Sequence, residues 1–266
     1  NDNETINFDI NHVDNFNITY SGNERTRAFV KIQDGCNYNC TYCTIPLARG
    51  KSRNGAIDDT IRKIIQLTNQ GFKEIVLSGI NIGDFGFGTN ENLYMLLKEI
   101  EHIKKLERYR ISSIEPNLID KNILQILSKS KKAMPHFHIP LQSGSNKILK
   151  SMKRRYTVEQ YIEKINYINK IIPNVNIGVD VIVGFPNESL EDFNETYNLL
   201  SDLEVSYFHV FTYSERNNTE AKNIFPKVEE RTKKKRRKLL MQLSDQKKQY
   251  YINNNIIKIS KVLFES

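Results

Sequence analysis

Six times between Phe29 and Tyr213, a short β-branched or aromatic run gives way to a stretch of helical period. The spacing predicts strands over Phe29–Gln33, Glu74–Ser78, Arg110–Ser113, His136–Leu141, Asn176–Val183 and Tyr207–Tyr213. Between them, apolar residues recur at helical spacing. Ile57, Ile61, Ile64 and Ile65 form one such face, Leu93, Leu96, Leu97, Ile100 and Ile103 a second, and Leu190, Phe193, Tyr197 and Leu200 a third. Thr157-Val-Glu-Gln160 reads as a capping box ahead of Tyr161, Ile165 and Ile168, and Gly71 as a helix stop. Strand–helix alternation of this kind demands parallel strands joined by right-handed crossovers. The expected fold class is therefore α/β, a curved six-unit partial (βα) barrel two units short of the closed eight-fold form. In such folds the loops after the strands build the site.

The ends differ in character. Residues 1–25 are Asn-rich and polar and read as a linker or frayed arm. They lack an initiator Met, which suggests a piece of a longer protein. Residues 226–255 read as a basic helical segment carrying Arg231-Thr-Lys-Lys-Lys-Arg-Arg-Lys238. Ile257–Glu265 reads as a strand with nothing left to pair, the start of a further β module over 256–266.

Only three cysteines occur, and they fall together as Cys36-Asn-Tyr-Asn-Cys40-Thr-Tyr-Cys43, directly after the first expected strand. An odd, clustered set argues against a disulfide framework and for a reducing, cytoplasmic setting. Two metal readings stand. Three thiolates fall one short of the four that normally hold a four-iron cluster, so one iron keeps an open position for chemistry. Alternatively, the three with a distant His staple a zinc in an RNA-binding protein without redox activity. A zinc loop usually brings a second pair of cysteines, which is absent here. No apolar stretch reaches membrane-spanning length. The net charge of +8 favours a polyanionic partner, nucleic acid first, although a basic protein without such a partner fits as well.

The loop, with Tyr42 before its last Cys, resembles the radical S-adenosylmethionine signature. The resemblance implies a radical SAM barrel, a 4Fe-4S cluster on Cys36, Cys40 and Cys43, and S-adenosyl-L-methionine on the open iron. One electron from the cluster then cleaves the sulfonium to a 5′-deoxyadenosyl radical. Seven further runs extend the likeness to the methylthiotransferases. They are Arg25–Gly35, Thr44–Arg53, Ser78-Gly-Ile-Asn-Ile-Gly83, Ser112-Ser-Ile-Glu-Pro116, Pro140–Ser145, Asp180-Val-Ile-Val-Gly-Phe-Pro186 and His209–Ser214. The Thr44–Arg53 and Ser78–Gly83 runs are similar to the branch that adds a methylthio group at carbon 2 of N6-threonylcarbamoyladenosine 37 in tRNA. The alternatives are branches acting on isopentenyladenosine tRNA or on a ribosomal protein.

By this resemblance the turn bounded by Gly79 and Gly83 offers backbone groups to the cofactor's amino group, and Glu115 lies near the adenosyl moiety. Gln142, Ser143 and Ser145 position carboxylate or ribose, and Arg154 or Arg155, of which Arg155 is preferred, clamps the carboxylate. Asp180 faces a polar barrel interior, because a lone charge in an apolar strand is costly. His136 and His138 share a face and have structural or substrate-facing roles. Arg49, Lys51, Arg53 and the 231–238 run supply phosphate contacts to an anticodon loop. The family also carries an amino-terminal domain with a second 4Fe-4S cluster and a carboxy-terminal RNA-binding β-barrel. Residues 1–25 are then the remnant of the first, 26–225 the radical core, and 256–266 the start of the second. An electron donor is a further expected partner. Asn217-Asn218 stands where the family often has Pro-Gly, a left-handed turn that Asn tolerates.

Overall fold

The computed structural model describes residues 16–22, 26–256, 258–259 and 262–264. In chain order the strands are β1 (Thr19–Ser21), β2 (Arg27–Lys31), β3 (Gln33–Asp34), β4 (Arg53–Asn54), β5 (Glu74–Ser78), β6 (Arg108–Ile111), β7 (His136–His138), β8 (Asn176–Val183) and β9 (Tyr207–Thr212). The helices are α1 (Ile45–Arg49), α2 (Ile57–Asn69), α3 (Leu93–Glu101), α4 (Lys121–Lys129), α5 (Asn146–Ser151), α6 (Val158–Ile171), α7 (Leu190–Asp202) and α8 (Glu230–Asn253).

Strands β2, β5 and β6 pair in parallel, as do β7, β8 and β9. Parallel bridges Tyr109↔Ala133 and Ser113↔His138 join the two groups. The result is one curved sheet of six parallel strands in chain order, the partial barrel expected from the alternation. No pairing between β9 and β1 or β2 closes it among the described residues.

Several strand ends differ from the periodicity. The first strand stops at Lys31, and Gln33–Asp34 leave the barrel to pair antiparallel with Arg53–Asn54. The fourth ends as regular strand at His138, although Ile139 N and Leu141 N still donate to Gly178 O (2.9 Å) and Asp180 O (3.1 Å) of β8. Gln142 rejoins β8 through a bridge to Val181. The expected arm is partly ordered as well. Thr19–Ser21 pairs antiparallel with β2 and covers that edge, while residues 1–15 and 23–25 lie outside the described residues. The described residues within Ile257–Glu265 form no strand, and the others lie outside the description.

The core lies between the sheet and its helices. Val179, Val181 and Val183 point outward from β8 into it, while Asp180 and Ile182 point into the barrel. On α3 the whole expected face is buried, and each such side chain contributes roughly 1.5–3 kcal/mol. Two face assignments fail. Ile65 lies off the stripe made by Ile57, Ile61 and Ile64, and Leu190 is the first residue of α7, so both are exposed. The Thr157–Gln160 capping box is present, and Gly71 ends α2 with φ +101°. Helix α8 lies on β9, where Ser244 Oγ accepts from Phe208 N (2.8 Å) and donates to Phe208 O (2.9 Å). Among the described residues no helix is long and apolar enough to cross a membrane.

Candidate functional site

The three cysteines lie on the loop between β3 and α1, at the carboxyl end of the barrel's first strand, and all are partly exposed. Gly35 makes the entry possible. It sits at φ +70°, and a Cβ there would stand 2.0 Å from Lys51 O. The loop is fastened at both ends of its span. Cys36 N donates to Gly50 O (3.1 Å), and Thr41 N donates to Met152 O (3.2 Å). Thr41 Oγ1 donates to Ser151 O (2.9 Å), and Thr41 O accepts from Ala221 N (2.9 Å). Tyr42 rests edge-on against Phe185, which packs in turn on Tyr213.

Each thiol has a donor suited to a thiolate. Tyr38 N lies 3.4 Å from Cys36 Sγ, Ile45 N 3.5 Å from Cys43 Sγ, and Arg154 Nη1 3.2 Å from Cys40 Sγ. Burial pushes the Cys36 thiol up to about 11. Burial also raises Cys40, with Arg154 opposing it. Metal binding must therefore displace protons from these groups.

Of the two adjacent arginines, Arg154 enters the site. Its side chain is 3% exposed. It pairs with Glu115 and reaches Tyr42 Oη (3.3 Å) and Tyr156 Oη (3.1 Å). Arg155, preferred from the sequence, is exposed, stacks over Tyr38 at 3.8 Å and donates to Asn37 O. Arg154 packs against the cysteine loop because Lys153 turns the chain at φ 56° after α5.

Gly79 and Gly83 are small for the protein's own packing. A Cβ on Gly79 would meet Ile82 and Gln33, and one on Gly83 would meet Leu118 at 2.5 Å. The residue that organises this turn was not singled out from the sequence. Gln33 is fully buried, and its Oε1 accepts from Ile80 N (3.0 Å) and Asn81 N (2.8 Å). Its Nε2 lies 2.8 Å from Gly35 O, 3.0 Å from Asp34 O and 2.9 Å from Ser52 Oγ. One amide thus ties the cysteine loop to the Ser78–Gly83 turn. A lone Gln at a strand end gives no periodic signal.

Gln142 holds φ 65° and lines an opening of about 300 Å³ with Tyr42, Asp180, Ile182, Phe211, Tyr213 and Arg216. Ser143 does not face it. Its Oγ lies 3.4 Å from Thr196 Oγ1 and accepts from Ser145 N. Ser145 Oγ likewise donates to Asp192 (2.8 Å), so both serines hold α7. Asp180 faces the interior as expected, but not alone, because His138 and His209 flank it. Burial works to raise its carboxyl, and the two imidazoles prevail and hold it below the usual range. His136 lies 3.4 Å from Tyr207 Oη, and burial lowers its imidazole to about 4.

Among the described residues, Asn81 Oδ1, Ser112 Oγ and Tyr213 Oη are buried without a hydrogen-bond partner, one after each of β5, β6 and β9. Such groups cost about 1–3 kcal/mol each unless something polar meets them. Three thiols on one short loop offer three of the four ligands that a four-iron cluster takes, so the donor set present fits such a cluster with one iron left open to a polar small molecule.

The basic residues are less free than the sequence implies. Asp34 collects Lys31 (3.3 Å), Arg49 (3.0 Å) and Arg53 (3.3 Å), and Lys51 is left exposed. In the 231–238 run, Lys233 and Arg236 turn inward. Arg236 pairs with buried Glu188 and donates to Ser189 O (3.0 Å). Arg231, Lys234, Lys235, Arg237 and Lys238 are exposed. Asn218 adopts φ 63°, the left-handed turn expected of it.

Comparison with known proteins gives a consistent picture. The family model described as the radical SAM superfamily matches residues 30–200. A threonylcarbamoyladenosine tRNA methylthiotransferase (MtaB) of Aquifex aeolicus is 46% identical over 210 residues, covering 79% of this chain and 51% of that protein. A tRNA-2-methylthio-N(6)-dimethylallyladenosine synthase of Thermodesulfovibrio yellowstonii is 39% identical, covering 83% and 51%. The chain spans about half the length of the curated relatives it matches. Among solved structures, the radical S-adenosylmethionine methyltransferase TsrM of Kitasatospora setae aligns with TM-score 0.59 at 15% identity, over 69% of this chain and 36% of that one. Coproporphyrinogen III oxidase (HemN) of Escherichia coli aligns with TM-score 0.55 at 14% identity, over 85% and 52%. At these identities the structural neighbours share the fold.

Proposed function

This chain belongs to the radical SAM superfamily, and from that premise we propose that it is the radical core of a tRNA methylthiotransferase acting at carbon 2 of N6-threonylcarbamoyladenosine 37. The observation that supports the chemistry is the loop at the barrel mouth, where three thiols each meet one N–H donor and number one fewer than the ligands a four-iron cluster takes. Cys36, Cys40 and Cys43 hold the 4Fe-4S cluster. When bound, the cluster supplies one electron to S-adenosylmethionine, whose cleavage gives an oxidant for an unactivated C–H bond.

The chain's own residues bind and orient. Both guanidiniums meet the cysteine loop: Arg154 is buried against Cys40 and Glu115, and Arg155, exposed beside Tyr38 and Asn37, has surface left for a carboxylate. Glu115 and Gln142 sit with it at the strand ends, and Gln33 presents the Ser78–Gly83 turn. Tyr42, Phe185 and Tyr213 exclude water from one side of the opening. The exposed cations of α8 and Lys51 supply phosphate contacts to a tRNA anticodon loop. A one-electron donor completes the system, and a second 4Fe-4S cluster belongs to the part of the relatives' length that this chain does not span. The cytoplasm, where thiols stay reduced and tRNA is abundant, is the proposed compartment. The tRNA reading rests on the relatives' names. Relatives named for both nucleosides match, and the Thr44–Arg53 and Ser78–Gly83 runs favour threonylcarbamoyladenosine over isopentenyladenosine.

Anaerobic reconstitution tests the reading. The expected result is brown protein with about four irons per chain that forms 5′-deoxyadenosine from S-adenosylmethionine under reduction. Both properties should disappear in the Cys40→Ala variant. Colourless protein with about one zinc per chain would support the zinc-stapled alternative instead. Analysis of tRNA nucleosides from a deletion strain separates the two nucleosides.

A further inference from the structure

The barrel interior carries a second polar constellation below the cysteine loop. Asp180 on β8 sits between two imidazoles, with Oδ1 2.9 Å from His138 Nε2 on β7 and 3.2 Å from His209 Nδ1 on β9. The two rings stack with centroids 5.3 Å apart and planes 26° apart. Along β9, Tyr207 and Phe211 flank His209 with centroids 5.3 and 6.5 Å away, so the strand shows an aromatic ladder to the interior. Gly178 makes room for it, since a Cβ there would meet the Tyr207 ring at 2.5 Å. The alternate residues Phe208 and Val210 are buried on the other side. His209 and Phe211 are left uncovered, at 54% side-chain exposure and 51% exposure. Asp180 and Phe211 line the same opening as Tyr42, which precedes cluster ligand Cys43.

The chemistry of this wall is selective. A carboxylate that accepts from both imidazoles fixes their orientation and tautomers. It leaves Nε2 of the half-exposed His209 as a second hydrogen-bonding atom beside an uncovered aromatic face. A flipped base stacks on such a face whatever its identity. A polar substituent on N6, with ureido N–H groups and a carboxylate, has partners for the imidazole, and an isopentenyl substituent has none. A site built to hydrogen-bond a group rejects the analogue that lacks it, because its own polar atom is left unpaired.

We propose that His209, oriented by Asp180, is the specificity-determining residue that selects a base bearing a polar N6 substituent over an apolar one, with Phe211 as the stacking platform. The proposal rests on the tRNA methylthiotransferase reading and names how that site discriminates. His138 and Asp180 are positioning residues. The ligand atoms of the three residues lie within 4.8 Å of one another, and the shared carboxylate oxygen holds them as a hydrogen-bonded bridge.

The test is equilibrium binding of three anticodon stem-loop RNAs to the reconstituted chain. They carry adenosine, threonylcarbamoyladenosine or isopentenyladenosine at position 37. Wild type is expected to prefer the threonylcarbamoyl RNA over the isopentenyl RNA by about 10- to 100-fold. His209→Phe keeps the ring and removes the nitrogens, so it should abolish that ratio without weakening isopentenyl binding. Phe211→Leu should weaken both modified RNAs together and leave the ratio. The ratio is the decisive readout, because a merely structural role would move all affinities alike. Circular dichroism and thermal midpoint establish that each variant is folded. A wild-type preference that survives His209→Phe overturns the inference alone. Equal binding of all three RNAs by wild type also overturns it, and failure to bind any RNA defeats the tRNA reading itself. Stoichiometric zinc retained by a Cys36→Ala, Cys40→Ala, Cys43→Ala chain would replace the hydrogen-bonded bridge with a metal site and overturn it as well.

Discussion

Replacing Gln33 by Met is the sharpest test of how the site is held together. The two side chains have similar length and volume, so packing changes little. What changes is hydrogen bonding. Ile80 N and Asn81 N lose their shared acceptor, Gln33 Oε1, at 3.0 and 2.8 Å. Gly35 O and Ser52 Oγ lose a donor at 2.8 and 2.9 Å. Asn81 is buried and Ile80 partly exposed, so water reaches one orphaned N–H more easily than the other. At about 1–3 kcal/mol for each buried orphan, the expected loss is about 2–4 kcal/mol, a large share of a typical 5–15 kcal/mol stability. Urea unfolding should show a lower midpoint at unchanged slope, and iron uptake on reconstitution should fall with it. Gln33→Glu separates the two halves of the network, because a carboxylate still accepts from the turn but no longer donates to Gly35 O. That variant should lose at least as much stability as Gln33→Met at neutral pH, because it buries a carboxylate against Gly35 O and Asp34 O, and should lose iron uptake as well. A Gln33→Met protein within about 0.5 kcal/mol of wild type, with full iron content, would refute the assignment of Gln33 as the link.

Gly35→Ala should cost about 3 kcal/mol or more and abolish iron incorporation, measured by thermal unfolding and iron assay, because φ is +70° and Lys51 O fills the Cβ position. Arg236→Met should destabilise by about 3–5 kcal/mol by stranding the Glu188 carboxylate, which is 2% exposed. The Arg236→Met, Glu188→Gln double variant should recover much of that loss, and equal losses in single and double variants would refute the pairing. The Asp192 carboxyl is raised by burial but held at about 2 by Lys147, Ser189 and Ser145. A depressed carboxyl stabilises the fold above its unfolded value of 3.8 and loses that contribution as pH falls toward 2. Asp192→Asn should therefore cost about 2 kcal/mol at pH 7, and denaturant midpoints should show the gap closing as pH drops from 4 to 2.

Periodicity carried most of the architecture. Strands β5 and β8 fall on the residues marked from the sequence, β8 because its apolar residues repeat every second position and β5 because a short Ile-Val-Leu run suits a strand buried on both faces. The α6 capping box was legible for a similar reason, since a helix start is a local hydrogen-bonding problem. The fourth strand's bonds to β8 run on to Leu141, where the periodicity ended it, but the bridge of Gln142 to Val181 was not legible, because it depends on what lies across the sheet. The basic run shows the limit most clearly. Its sequence says only that seven cations share a helix, and the packing of α8 on the barrel turns Lys233 and Arg236 toward buried partners.

The cysteine spacing alone marked the candidate metal loop and its place after a strand, since three thiols within eight residues need no long-range contact to come near one another. Tertiary structure decided everything that requires two distant segments to meet. It buried Arg154 against Cys40 and left Arg155 exposed on Tyr38, gave Ser143 to α7, and set Asp180 between histidines from strands on either side. Those choices turn on side-chain direction at the end of a curved sheet, where neighbours come from other βα units and leave no trace in local spacing.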